Sequence, residues 1–349
     1  MTPHRCSASL PRRAKLPNGK AVIAWAMVGI VFYELVFFVV APWWHPDREY
    51  AARLVQLQAR LAEQPGRPLM LVIGSSRCLL GFQPQWLPAA DGAQRRQPLV
   101  FNFSHTGAGP LMNLLEVRRL LRAGIRPQTI VLEVMPPYLA NEWRAVYAHG
   151  VEAADAAVVH RSTGNWSFVE DTLRWRLAPW YYCRQALLGR WAPRFTAGEF
   201  IPVGPCGSFP HLEESVAEDE RQRRVRHERE AYSDALQNFA VSGSSRRAMH
   251  ELAGLCRREQ IELILLLTPE GSEFQRWYTP EARRQVDQFC GELREWYNLE
   301  LIDARDWLSD DQFSDSHHML ARGAREFTRR LAARVLPHAL AGRQPGAWQ

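Results

Sequence analysis

A chain of 349 residues with 46% hydrophobic and 11% aromatic side chains can bury a sizeable core, which excludes a disordered chain and a short module held together by disulfides. Its formal net charge of +6 rests almost wholly on arginine, since Lys15 and Lys20 are the only lysines. The charge is spread along the chain, which argues against a nucleic-acid-binding protein.

Residues 1–20 form a basic tail, with Arg5, Arg12, Arg13, Lys15 and Lys20 and no acid. Residues 21–44 follow as a membrane anchor. Ala21 to Pro42 holds one ionisable residue, Glu34, and about 22 residues at 1.5 Å rise cover roughly 33 Å, enough for a bilayer core. The run exceeds a signal-peptide core, and Pro42 follows the one small-residue cleavage position, so the anchor reads as uncleaved. By the positive-inside rule the N-terminus is cytoplasmic and everything after Trp44 is periplasmic or otherwise extracytoplasmic. Glu34 reads either as a polar contact with another membrane protein or as a protonated or snorkelling residue on a tolerant single span.

Residues 45–66 contain an amphipathic neck helix over Asp47–Gln64, in which Tyr50, Leu54, Leu57 and Leu61 share a face. Residues 67–139 then alternate strands and helices. Leu69–Ile73 is five apolar residues ended by Gly74-Ser75-Ser76-Arg77. Leu99–Phe103 precedes a Gly-rich turn, His105-Thr106-Gly107-Ala108-Gly109, and a helix carrying Leu114, Val117 and Leu121. Thr129–Met135 ends at Pro136-Pro137.

Residues 140–243 lack a buried-strand run and read as a mostly helical insertion, with Trp166, Trp175, Trp180 and Trp191 forming a small aromatic core or a sugar- or membrane-facing patch. Within it, Glu213–Arg229 is a dense mixture of both charges, the pattern of a solvated helix or mobile loop. Alternation resumes over 244–340. A helix buries Met249, Leu252 and Cys256, and the strand Ile261–Leu267 follows. A second helix buries Ala282, Val286, Phe289, Leu293 and Trp296, and the strand Leu299–Asp303 follows. The loop Asp310–His318 leads to a last helix with Phe327, Leu331 and Val335 inward, and 341–349 is a flexible tail. Five strands joined by helical crossovers predict an α/β fold with a doubly wound parallel sheet. The six cysteines show no metal-ligand spacing, so no metal and no cofactor is expected. Cys256 and Cys290 read as core, and a Cys183–Cys206 disulfide stays open.

In such a sheet the turns after each strand share one edge, where ligands bind. Ser76 is a candidate nucleophile there, His318 its base and Asp315 the carboxylate that fixes the imidazole tautomer. The N–H groups of Ser76 and Gly107 would stabilise an oxyanion. Taken singly, Ser75-Ser76 and Asp-x-x-His also suit plain helix capping. His105 and His317 are alternative bases.

Gly74-Ser75-Ser76, Asn102-Phe103-Ser104-His105-Thr106-Gly107 and Asp315-Ser316-His317-His318 resemble three blocks of the SGNH (GDSL-type) hydrolase superfamily. The resemblance implies a flavodoxin-like five-stranded parallel sheet, Ser76 as nucleophile, Asp315 and His318 completing the triad, and Ser76 and Gly107 in the oxyanion hole. Asn102 and Arg77 become candidate substrate-binding residues, with Arg77 either binding an anionic sugar or polymer phosphate or forming a surface ion pair. The membrane-anchored branch of that superfamily implies O-acylation, acetylation foremost, of an exopolysaccharide or cell-wall glycan, alongside a multi-pass acyl-transfer protein as donor. An esterase using water and a non-catalytic polysaccharide-assembly protein are the alternatives. One block departs from the pattern. The asparagine expected after the third strand is replaced by Glu133-Val134-Met135-Pro136-Pro137, with Asn141 nearby but off-pattern.

Overall fold

The computed structural model describes residues 19–40, 48–87, 97–140, 151, 153–164 and 203–341. Expectations resting on residues 1–18, Trp43, Trp44, Asn141, Cys183 and the tryptophans at 166, 175, 180 and 191 fall outside these residues.

Apolar runs too short for helices and bounded by Pro and Gly form five strands: β1 Leu69–Ile73, β2 Leu99–Asn102, β3 Thr129–Glu133, β4 Glu262–Leu267 and β5 Glu300–Asp303. All pair in parallel, in the order β2-β1-β3-β4-β5. The described helices are α1 Gly19–Val40, α2 Arg48–Glu63, α3 Ser76–Gly81, α4 Pro110–Arg122, α5 Pro136–Ala140, α6 Ala156–Thr163, α7 Glu218–Gln237, α8 Gly243–Arg258, α9 Ser272–Gln275, α10 Pro280–Tyr297 and α11 Ala321–Ala341. The longer ones carry start and stop signals. Thr279 caps α10 ahead of Pro280, and Asn298 ends it in the left-handed region at φ 52°.

Because successive strand residues point to opposite faces, β1 feeds two cores. Leu69, Leu71 and Ile73 meet α2, α4, α8 and α10 on one face, while Met70 and Val72 meet α3 and α11 on the other. Each fully buried Leu or Phe contributes about 1.5–3 kcal/mol, so both faces are specified by the same alternation. Phe327, Leu331 and Val335 of α11 are all buried, as are Cys256 and Cys290.

The helix α2 lies on the domain rather than standing away as a stalk. Tyr50 and Leu57 are buried, and the Tyr50 ring meets Phe103 edge-on at 5.4 Å. The described apolar side chains of α1 are exposed, Trp25 at 75% among them. The side chains of Glu34 and residues 37–40 lie outside the described set, and among the described residues no helix is long and apolar enough to cross a membrane.

Two described parts of the 140–243 region bear on the site. The Cys206 carbonyl accepts the Asn102 N–H at 2.9 Å, so this segment covers the β2 edge. Gly207 permits the approach: its φ is +84°, and a Cβ there would sit 2.0 Å from the Asn102 carbonyl oxygen. The charged run around 213–229 is irregular only up to Ala217, and beyond it is not wholly solvated. It enters α7, whose Arg221, Arg223 and Arg224 pair with acids on the outer side while Val225, Ala235 and Leu236 are buried.

Candidate active site

The chain runs from β1 outward to β2 on one side and to β3 on the other, which opens a crevice at the carboxyl ends of β1 and β3. Ser75 and Ser76 follow β1 at that crevice. Ser75 is the N-cap of α3, its hydroxyl accepting the Arg77 N–H at 3.2 Å. Ser76 is thereby the first residue of the helix, where the backbone N–H has no intrahelical acceptor. Its Oγ lies 2.9 Å from Nε2 of His318. On the other side of that ring, Nδ1 lies 2.6 Å from Oδ2 of Asp315.

The loop between β5 and α11 is built to hold this arrangement. The His318 carbonyl accepts the Ser314 N–H at 2.8 Å and the Ser314 hydroxyl at 3.2 Å. Oδ1 of Asp315 accepts the N–H groups of His317 and His318, each at 2.7 Å. Asp315 therefore caps a turn rather than α11, which starts six residues later. The Gly271 N–H donates to the Ser316 carbonyl at 2.9 Å, tying the loop to the turn after β4.

Burial opposes the Asp315 charge, but the His318 and His317 rings and the donated hydrogen bonds outweigh it and hold the carboxyl well below its usual range. Burial also opposes the His318 cation, yet the Asp315 carboxylate raises its pKa above the ordinary imidazole value. The His318 side chain keeps 19% of its surface exposed. His317 is driven the other way, by burial first and then by His318. Its ring is enclosed by Tyr232 at 5.5 Å and Phe274 at 5.0 Å, and its Nδ1 meets Ser316 Oγ at 3.1 Å. His105 pairs with the buried Glu116 of α4. The ring at Ser76 is thus His318. Asp315, His317 and His318 present three ligand-type atoms within 4.8 Å of one another; these atoms are engaged with one another, with the turn and with Ser76.

Gly107 sits in the turn after β2 with φ +72°, a conformation that suits glycine. Among the described residues, neither its N–H nor that of Ser76 donates to a protein acceptor.

The two residues expected to bind substrate do something else. Arg77 is fully buried. Its Nη2 donates to the carbonyls of Thr268 at 3.0 Å and Pro269 at 2.8 Å, Nη1 reaches Glu270 at 3.4 Å, and Nε lies 3.7 Å from Glu133. Burial disfavours its charge, and Glu270 and Glu133 restore it. Asn102 is also fully buried, and its Nδ2 donates to the carbonyls of Cys78 at 2.8 Å and Phe82 at 2.7 Å. Arg77 is a clamp between the β1 and β4 turns, and Asn102 closes the end of α3. Both side chains are fully buried, so neither is presented to a substrate at the surface.

Sequence reasoning missed three contributors. Glu133, at the end of β3, accepts the Ser75 N–H at 2.5 Å and the Thr268 hydroxyl at 3.0 Å. Gly74 makes room for it, since a Cβ there would lie 2.5 Å from the Glu133 Oε2. Glu228 of α7 faces His317 Nε2 at 3.7 Å, and burial raises its pKa. Tyr232, one helical turn on, packs against His317 and reaches Tyr138 with its hydroxyl at 3.1 Å. The inward stripe of buried Val225 and Leu236 with half-buried Tyr232 was the readable signal, hidden by the charges around it.

A protein-family model matches residues 217–339, from just before α7 into the last helix. No curated protein sequence matches the chain. Among solved structures it is similar to a candidate acylhydrolase from Bacteroides fragilis, at 10% identity and a TM-score of 0.39, covering 83% of this chain and 98% of that one. It is also similar to a GDSL-like lipase from Bacteroides thetaiotaomicron, at 8% identity and a TM-score of 0.35, covering 83% and 99%.

Proposed function

We propose that this chain is a membrane-tethered serine O-acyltransferase that moves an acyl group, acetyl foremost, onto a hydroxyl of an extracytoplasmic glycan. The observation that carries the acyl-serine chemistry is the continuous line Ser76 Oγ to His318 Nε2 at 2.9 Å and His318 Nδ1 to Asp315 Oδ2 at 2.6 Å. Ser76 Oγ attacks the acyl carbonyl carbon while His318 Nε2 takes the hydroxyl proton. Asp315 holds the ring so that Nε2 is the free nitrogen, and steadies the imidazolium that forms. The tetrahedral oxyanion lies against the N–H groups of Ser76 and Gly107. Collapse expels the donor's leaving group with the proton from His318 and leaves an acyl-Ser76 ester. A sugar hydroxyl then attacks that ester, its proton passes through His318 to the Ser76 oxygen, and the acylated glycan leaves.

Tethering is inferred from the apolar run at 21–44 of the sequence, with the basic residues before it setting the N-terminus in the cytoplasm. A glycan acceptor and a multi-pass membrane donor follow from the resemblance of the three sequence blocks. The test uses full-length protein in detergent, given an activated acetyl ester with and without acetyl-free exopolysaccharide or cell-wall glycan. Acetyl esters on the glycan that require Ser76 support the transferase. Release of acetate at the same rate with or without glycan overturns it in favour of hydrolysis.

A further inference from the structure

The crevice has two backbone donors for an oxyanion and, on the β3 side, a carboxylate. Glu133 only accepts, and its oxygens are taken by the Ser75 N–H, the Thr268 hydroxyl and the Arg77 guanidinium. A side chain that would strengthen the oxyanion site must come from elsewhere. Tyr138 in α5 is five residues beyond Glu133. Its ring lies across the turn after β2, with its Cβ 3.4 Å from where a Gly109 Cβ would be. Its hydroxyl oxygen is 3.8 Å from the place of a Gly107 Cβ, so it stands beside the glycine that offers its N–H.

We infer that the Tyr138 hydroxyl is the third oxyanion donor of this site, held in place by Tyr232 of α7. The inference rests on the acyl-serine reading of Ser76. Tyr138 and Tyr232 hydroxyls are 3.1 Å apart. When Tyr232 donates to the Tyr138 oxygen, the Tyr138 proton is free to point at a substrate oxygen. Among the described residues, that hydroxyl has no other polar partner. The two rings meet edge-on at 6.0 Å, and Tyr232 is wedged against His317 and Phe274 at 5.5 and 6.3 Å, so the pair links the base end of the site to the oxyanion end. Burial raises the pKa of both phenols, and the nearby Glu228 adds to it. Both stay protonated at the pH where His318 works. The carboxylate of Glu133 discourages Tyr138 ionisation as well, which turns an acid beside the site into a reason for the neighbouring phenol to remain a donor.

The test compares full-length wild type, Tyr138→Phe, Tyr232→Phe and Ser76→Ala in detergent. It measures turnover of an activated acetyl ester, the rate of Ser76 labelling by a fluorophosphonate, and thermal melting. Tyr138→Phe is expected to lower kcat by about 10²–10³-fold, the usual loss for one oxyanion donor. Its KM should stay within about twofold, because the interaction forms in the transition state. Tyr232→Phe keeps the ring but not the hydroxyl, and is expected to lower kcat by about tenfold, the worth of one hydrogen bond, again with KM unchanged. Labelling by the fluorophosphonate, which also passes through a developing oxyanion, should slow in the same order. If the wild type turns over and is labelled but Tyr138→Phe matches its kcat, or loses only in KM, the tyrosine inference is overturned and the acyl-serine reading stands. If the wild type neither turns over nor is labelled at Ser76, the acyl-serine reading fails and takes this inference with it. Should Tyr138→Phe not fold, Tyr232→Phe decides, since an unchanged kcat there contradicts the pair.

Discussion

Replacing Arg77 by methionine separates a structural arginine from a substrate-binding one. The substitution removes the charge that faces two buried carboxylates, Glu133 and Glu270, which are 3% and 2% exposed, and leaves the carbonyls of Thr268 and Pro269 without their guanidinium donor. Breaking a buried ion pair from one side costs about 3–5 kcal/mol, because the remaining charge is uncompensated. Each stranded carbonyl adds about 1–3 kcal/mol unless water reaches it. Against a total stability of about 5–15 kcal/mol, Arg77→Met is expected to remove a large part of the fold's margin. The pH dependence gives a second check. In the wild type, burial raises the Glu270 pKa and Arg77 opposes the rise. Without Arg77 the folded-state pKa climbs further above the unfolded value. A carboxyl raised in this way destabilises the fold above its folded pKa and ceases to do so once the pH falls below its unfolded pKa. The deficit of the variant should therefore be larger at pH 8 than at pH 5. Urea unfolding of full-length protein at the two pH values measures both quantities. A deficit below about 1 kcal/mol, the size of an exposed pair, would refute the clamp, as would a normal melt with a raised KM.

Further outcomes follow from the same geometry. Asp315→Asn should lower kcat by about 10³–10⁴-fold, since the wrong tautomer is held at Ser76, with the chain still folded; ester turnover and circular dichroism check it. The acid limb of kcat/KM should lie above the ordinary imidazole value, because His318 must lose its proton to act as base and Asp315 raises its pKa; a limb at or below about 6.5 would contradict this. Gly74→Ala should destabilise by about 1–3 kcal/mol through overpacking on Glu133, read by thermal melting. Asn102→Leu should lose stability, for want of two donors to α3, with KM for the acyl ester unchanged.

The sheet was legible because its strands are short apolar runs with turn residues at both ends, and because Phe327, Leu331 and Val335 keep one face of a long helix. The meeting of Ser76, Asp315 and His318 was legible because they follow strands whose carboxyl ends a parallel sheet must bring together. Arg77 and Asn102 read as binding residues because they adjoin the nucleophile and the glycine turn in sequence. Their burial comes from partners far along the chain, Thr268 to Glu270 for one and Cys78 to Phe82 for the other, and no local pattern announces it. Glu133 looked like a flaw for a similar reason: its partner is the Ser75 N–H across the sheet. In α7, Glu218 to Arg229 masks a stripe of only a few inward residues, so the helix that covers His317 resembled a solvated one.

The most direct test of the account is intact-mass spectrometry of full-length protein after brief exposure to an activated acetyl ester, followed by peptide mapping, with Ser76→Ala and His318→Ala run alongside. The account predicts one acetyl group per chain, carried by Ser76, absent from Ser76→Ala and strongly reduced in His318→Ala. An unmodified wild type that turns over no faster than Ser76→Ala, or an acetyl group on another residue, would contradict it.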